Sequence, residues 1–116
     1  MINYILQQNP FLVNGQRIIE FVAELKKKLG FHFSIRMIVQ QDNADEIEKF
    51  YEFGQQYGVD DVEYMRIGDW KTYSTNEFQT IDVLDPAHPR SAEMVERFRK
   101  LKNQHGKSIV FYHFSI

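Results

Sequence analysis

Residues 30–40, Gly30-Phe31-His32-Phe33-Ser34-Ile35-Arg36-Met37-Ile38-Val39-Gln40, decide the fold. Phe33, Ile35, Met37 and Val39 fall on one side of this run. His32, Ser34, Arg36 and Gln40, with Ile38 among them, fall on the other. Alternation with period two is the mark of a strand that buries one face. Immediately upstream, from about Asn14 to Leu29, the period changes: Ile18, Phe21, Val22, Leu25 and Leu29 share one face at a spacing near 3.6. Asn14 suits a helix start, and Gly30 suits the left-handed residue that closes a helix. The unit is therefore helix, glycine, strand.

The same unit occurs twice more. A helix over about Ala44–Tyr57, with Ile47, Phe50, Tyr51 and Tyr57 inward, stops at Gly58 and leads into a strand over Val59–Ile67. Asn43 followed by Glu46 has cap-like spacing. A helix over about Ser91–Gln104, with Met94, Val95, Phe98 and Leu101 inward, stops at Gly106 before a strand over Ser108–Ser115. Pro89 and Ser91 set its start. Met1–Gln7 reads as a further short strand. Repeated helix–strand units argue for one α/β domain over residues 1–116, an open, mainly parallel sheet of three or four strands covered by three helices. Gly30 and Gly58 are 28 positions apart, whereas Gly58 and Gly106 are 48 apart, so 20 extra residues lie between Gly68 and Arg90. That connection leaves the carboxyl end of a strand, where parallel α/β folds build ligand sites.

Composition narrows the function classes. Ten Phe, six Tyr and one Trp in 116 residues supply a core. A net charge of −2, with no like-charge run longer than Lys26-Lys27-Lys28, speaks against nucleic acid as a partner. No stretch is long enough to cross a bilayer. Met1–Leu6 has neither the basic start nor the apolar core of a signal peptide, so the expected location is the cytoplasm with no membrane partner. The chain has no cysteine, which removes disulfides, thiol nucleophiles and thiolate metal sites.

The order Ile35-Arg36-Met37-Ile38-Val39-Gln40-Gln41-Asp42-Asn43, an acidic helix start, then Gly58-Val59-Asp60 and a strand ending in Gly68-Asp69-Trp70, resembles radical SAM enzymes. It is similar to the later half of their partial (β/α)6 barrel. Trp70-Lys71-Thr72-Tyr73-Ser74 and His88-Pro89 resemble members with a SPASM-type extension. The resemblance covers about Asn9 to Leu101 and implies a sheet like part of a TIM-type barrel. It also implies an S-adenosylmethionine pocket, with Ser34, Arg36 and Gln40 at inward positions. The cysteine motif that holds the family's iron–sulfur cluster is absent, so no iron–sulfur cluster is expected and no cofactor is required.

Each candidate has a plainer reading. Ser34, Arg36 and Gln40 also suit a sheet face left open to water, and helix capping accounts for Asn43. Arg66, Asp69 and Trp70 can grip a nucleotide or another anion, or form an ion pair and an anchor at the root of the long connection. His32, His88, His105 and His113 lack the spacing of a metal site. No glycine motif for a dinucleotide or nucleoside triphosphate occurs, and no catalytic constellation emerges. The expected function is a cluster-less binding or assembly module, or a remnant of one. The alternative is an S-adenosylmethionine- or nucleotide-binding half of a two-chain enzyme. The aromatic final strand, Ile109–Ile116, predicts a homodimer through its exposed edge, or a partner chain that supplies the rest of a barrel.

Overall fold

The computed structural model describes the backbone of residues 2–6, 13–69 and 73–116, and the side chains from Arg17 onward within those ranges except at position 107. The elements in chain order are β1 (Ile2–Leu6), α1 (Val13–Leu29), β2 (Phe33–Val39), α2 (Ile47–Gln56), β3 (Asp61–Arg66), α3 (Thr75–Ile81), α4 (Ser91–His105) and β4 (Ile109–Tyr112). Short 3-10 turns, Ala44–Glu46 and Gly106–Ser108, precede α2 and β4. The four strands form one sheet in the order β1-β2-β3-β4. All three pairings are parallel, with Ser34 beside Asp61, Arg36 beside Glu63 and Met65 beside Tyr112. Right-handed crossovers between sequential parallel strands place the helices on one face of such a sheet.

That face holds the core. Phe33, Ile35, Met37, Val39, Val62 and Tyr64 from the strands meet Ile47, Phe50, Met94 and Phe98 from α2 and α4, all fully buried. Tyr64 carries both packing and polarity. Its ring meets Phe50 and Phe98 edge-on at 5.9 and 5.0 Å, and its hydroxyl donates to the Ile47 carbonyl at 2.6 Å. Burial pushes this phenol well above its ordinary range, so it remains a neutral donor.

Of the expected α1 stripe, Val22 packs against the core and Leu25 is half-buried, but the other three residues are not buried. Ile19 and Ala23 face the core, while Ile18, Phe21 and Leu29 are 46%, 65% and 72% exposed. Apolar residues occupy a wider arc of this helix than one contact uses, so periodicity alone does not single out the buried side. Asn14 lies within α1 rather than ahead of it. The inward stripes of α2 and α4 are as expected at Ile47, Phe50, Tyr51, Met94, Phe98 and Leu101. Gly30 and Gly58 take positive φ of 70° and 68° after their helices. The long connection contains a fourth helix, α3, opened by a capping box in which Ser74 and Glu77 satisfy each other's backbone N–H groups.

The last strand is also shorter than expected. It ends at Tyr112, and His113 takes a positive φ of 65°. This turns Phe114 back onto Phe98 and Phe111, at ring distances of 5.3 and 5.0 Å. Lys102 Nζ donates to the Ile116 carbonyl at 3.4 Å. The aromatic segment is thus spent partly on the core and partly on an edge of only four residues.

Candidate functional site

Parity along β2 and β3 puts Ser34, Arg36, Ile38, Asp61, Glu63 and Met65 on the sheet face opposite the core strands' buried residues, joined by Val110 and Tyr112 of β4. The core residues of α2 and α4, Ile47, Phe50, Met94 and Phe98, pack with the strand residues of the other face. The centre of the Arg36 face is an ion pair. Arg36 donates through Nε to Glu63 Oε1 at 2.9 Å, with Nη2 at 2.9 Å from the same oxygen. The Glu63 side chain is only 4% exposed, because the guanidinium lies across it and over the Tyr112 ring, 4.4 Å from the centroid. A paired carboxylate under a stacked guanidinium tolerates burial in a way that a lone one does not.

At the amino end of the strands, His32 Nε2 lies 2.8 Å from Asp61 Oδ2 and 3.1 Å from the hydroxyl of the fully buried Ser34. Histidine, serine and aspartate together suggest nucleophile activation, but the geometry opposes it. Both contacts use one ring nitrogen, whereas a relay needs the carboxylate on one nitrogen and the hydroxyl on the other. His32 Nδ1 instead faces Asp60 at 3.8 Å. Asp60 is in turn committed to the backbone N–H of Phe33 at 2.7 Å and to Lys26 at 3.1 Å.

At the carboxyl end Asn43 and Arg66 serve as joints. Asn43 is 1% exposed and clamps the turn after β2. Its Oδ1 accepts from the Gln40 N–H at 2.9 Å and its Nδ2 donates to the Ile38 carbonyl at 2.8 Å. It makes no side-chain cap, so capping is not its role. Gln40 lies just past β2 and is buried. Arg66 grips Asp82, at the end of α3, through Nε at 3.0 Å and Nη2 at 2.7 Å. This two-pronged bond holds the Arg66 guanidinium above its usual value. Asp82 lies 16 positions away in sequence, and no local pattern announces it. Asp69 is exposed. Trp70 lies outside the described residues.

Between the turn after β2, α3 and the segment before α4 runs an open cleft of about 710 Å³. Gln41, Asn76, Gln79, Thr80, Asp85 and His88 contribute its polar lining. His88 has one set role there: Nδ1 accepts from the Arg90 N–H at 3.0 Å, which leaves Nε2 to donate to the Thr80 carbonyl at 2.9 Å. Arg90 points away into a charge cluster with Asp45 and Glu93. The cleft therefore presents amides, a hydroxyl and the Asp85 carboxylate, but no free cation from Arg90. Among the described residues no three His, Asp or Glu side chains converge as metal ligands, and no helix is long and apolar enough to cross a membrane.

No protein-family model, no curated protein and no solved structure matches this chain. The resemblance to radical SAM enzymes therefore rests on the residue pattern alone.

Proposed function

We propose that this chain is a non-catalytic assembly module, one half of an eight-stranded parallel α/β barrel that a second copy completes. The observation that carries this reading is the sheet itself: four parallel strands in strictly sequential order. All-parallel sheets are ordinarily covered on both faces. A sequential order leaves two edges, β1 and β4, that point the same way. A two-fold axis along the sheet's inner side sets β4 of each copy beside β1 of the other, still parallel, and closes the ring. An eight-stranded barrel has an interior that side chains just fill. Arg36, Glu63, Met65 and Tyr112 lie on the face that would become this interior, and the ion pair arrives already neutralised.

The chemistry of the polar groups agrees with a structural role. Arg36, Asn43 and Arg66 are each committed to a partner within the chain. Sedimentation equilibrium at micromolar concentration tests the reading, with a species of twice 13.9 kDa expected. Slow amide exchange in both β1 and β4 would identify the paired edges. A clean 13.9 kDa species across the concentration range overturns it.

A second reading is favoured by the position of the cleft at the carboxyl end of the strands. It holds that the module keeps a pocket for S-adenosylmethionine or a nucleoside. Calorimetric titration with S-adenosylmethionine checks it, and no heat up to millimolar ligand removes it.

A further inference from the structure

The exposed stripe of α1 has a direction. At about 100° per residue, exposed Ile18, Phe21 and Leu29 and half-buried Leu25 occupy a band of roughly 80°, and that band lies roughly 135° from the side bearing Ile19 and Ala23. Glu20 and Glu24 mark a third side, and this one faces α2: Tyr57 donates to Glu20 at 3.2 Å, and Glu20, Glu24 and Lys27 line a cleft with Gln55 and Tyr57. The stripe is therefore on the flank of α1 away from α2. In a sheet ordered β1-β2-β3-β4, that flank overhangs the β1 edge.

The other edge carries a matching feature. α4 turns Arg90 and Arg97 towards Asp45 and Glu48 beside α2. On its opposite flank, Phe98 and Lys102 hold the returning segment Phe114–Ile116, whose Phe114 and Ile116 remain only partly buried. This segment therefore overhangs the β4 edge on the helix side of the sheet.

Resting on the two-copy barrel proposed above, we infer that the α1 stripe of each copy packs on Phe114 and Ile116 of the other, sealing the outside of the β4–β1 seam. Closure would set the two overhangs on the same seam, since each lies beyond the edge that the two-fold pairs. A stable dimer buries about 800 Å² per partner, more than one helix flank supplies. The stripe therefore acts with the strand edges and the inner sheet face. A second copy is the occupant argued for because the chain carries both halves of the contact, exposed Ile18, Phe21 and Leu29 on the flank beside β1 and partly buried Phe114 and Ile116 beside β4.

Phe21→Glu tests the seal. Phe21 is 65% exposed, so the single chain does not need it to fold, and circular dichroism should be unchanged. The dimer dissociation constant should rise at least 100-fold, while Glu52→Lys on the exposed side of α2 should leave it unaltered. The absence of native cysteine makes a second measurement clean. Mixed Leu25→Cys and Ile116→Cys chains should form a disulfide-linked pair under mild oxidation, and Leu25→Cys alone should not. A wild-type dimer that survives Phe21→Glu, or that cross-links through Leu25→Cys alone, overturns the seal and leaves the barrel reading standing. A wild-type chain that is monomeric throughout overturns the barrel reading itself.

Discussion

Asp82 shows how a single carboxylate fixes the carboxyl end of the sheet. It is 1% exposed and receives two prongs of Arg66, so it joins the end of β3 to the end of α3. Asp82→Ala should cost about 2–3 kcal/mol, the range for a hydrogen bond to a charged group whose partner is left behind. Urea unfolding measures it, and a loss below half a kilocalorie would show that water replaces Asp82 readily. Asp45 and Asp60, with the exposed Glu93 beside Arg90, contribute to the acid limit. Asp45 is held below its ordinary value of 3.8 by its bonds to Arg90 and then to Arg97. At Asp60 burial raises the value, but the Phe33 N–H and Lys26 outweigh it and the net direction is down. A carboxyl whose folded value lies below its unfolded one binds its proton more weakly when native. Its stabilisation is complete above about pH 4 and is lost as pH falls through the lowered values. The unfolding midpoint should thus decline on acidification below about pH 4, and Arg97→Gln should make the decline shallower. A midpoint flat down to about pH 2 would contradict both assignments.

Within α2, Gly54 governs how closely helix and sheet approach. A Cβ at this position would lie 2.8 Å from Val62 Cγ2, 3.0 Å from Val59 Cγ2 and 3.1 Å from Ile35 Cδ1. Elsewhere in a helix, replacing glycine by alanine gains up to about 1 kcal/mol. Here Gly54→Ala should instead lose about 1–3 kcal/mol, because the methyl overpacks a filled contact. A raised thermal midpoint would mean that α2 rides further from β3. Gly58→Ala has a different cause, since nothing crowds it and only its positive φ of 68° resists a side chain. About 1 kcal/mol is expected there. The elements were legible wherever most apolar residues keep to one face, as along β2 and on α2 and α4. α1 misled because its apolar residues spread over a wider arc than the core contact uses. α3 escaped because Phe78 and Ile81 are its only large apolar residues, although Ser74-Thr75-Asn76-Glu77 carries a capping-box signal. Parity was enough to place Ser34 and Arg36 on one face. Their neighbours Glu63 and Tyr112 come from other strands, and strand register is a tertiary property that no local window contains.

For the whole molecule, closure of the ring makes a prediction that ordinary dimerisation does not. The segment after β4 returns along α4 to Lys102, so Ile116 lies toward the end of the sheet at which the strands begin. In the two-copy barrel, β1 of the partner begins at the same end, beside β4. Two copies joined head to tail by a flexible Gly/Ser linker of about ten residues, which spans roughly 16–19 Å on average, should therefore close on themselves. The tandem chain should sediment as a single species of its own mass at every concentration. Its thermal midpoint should exceed that of the unlinked chain and lose the concentration dependence that a dissociating dimer shows. Linking removes the entropy of bringing two chains together, and it adds no contact. A face-to-face or edge-only dimer has no reason to place one chain's end beside the other's beginning. The same linker would then force the tandem to pair with neighbouring molecules. Concentration-dependent aggregation of the tandem, from a parent that is a well-behaved dimer, would reject the closed ring in favour of those open arrangements.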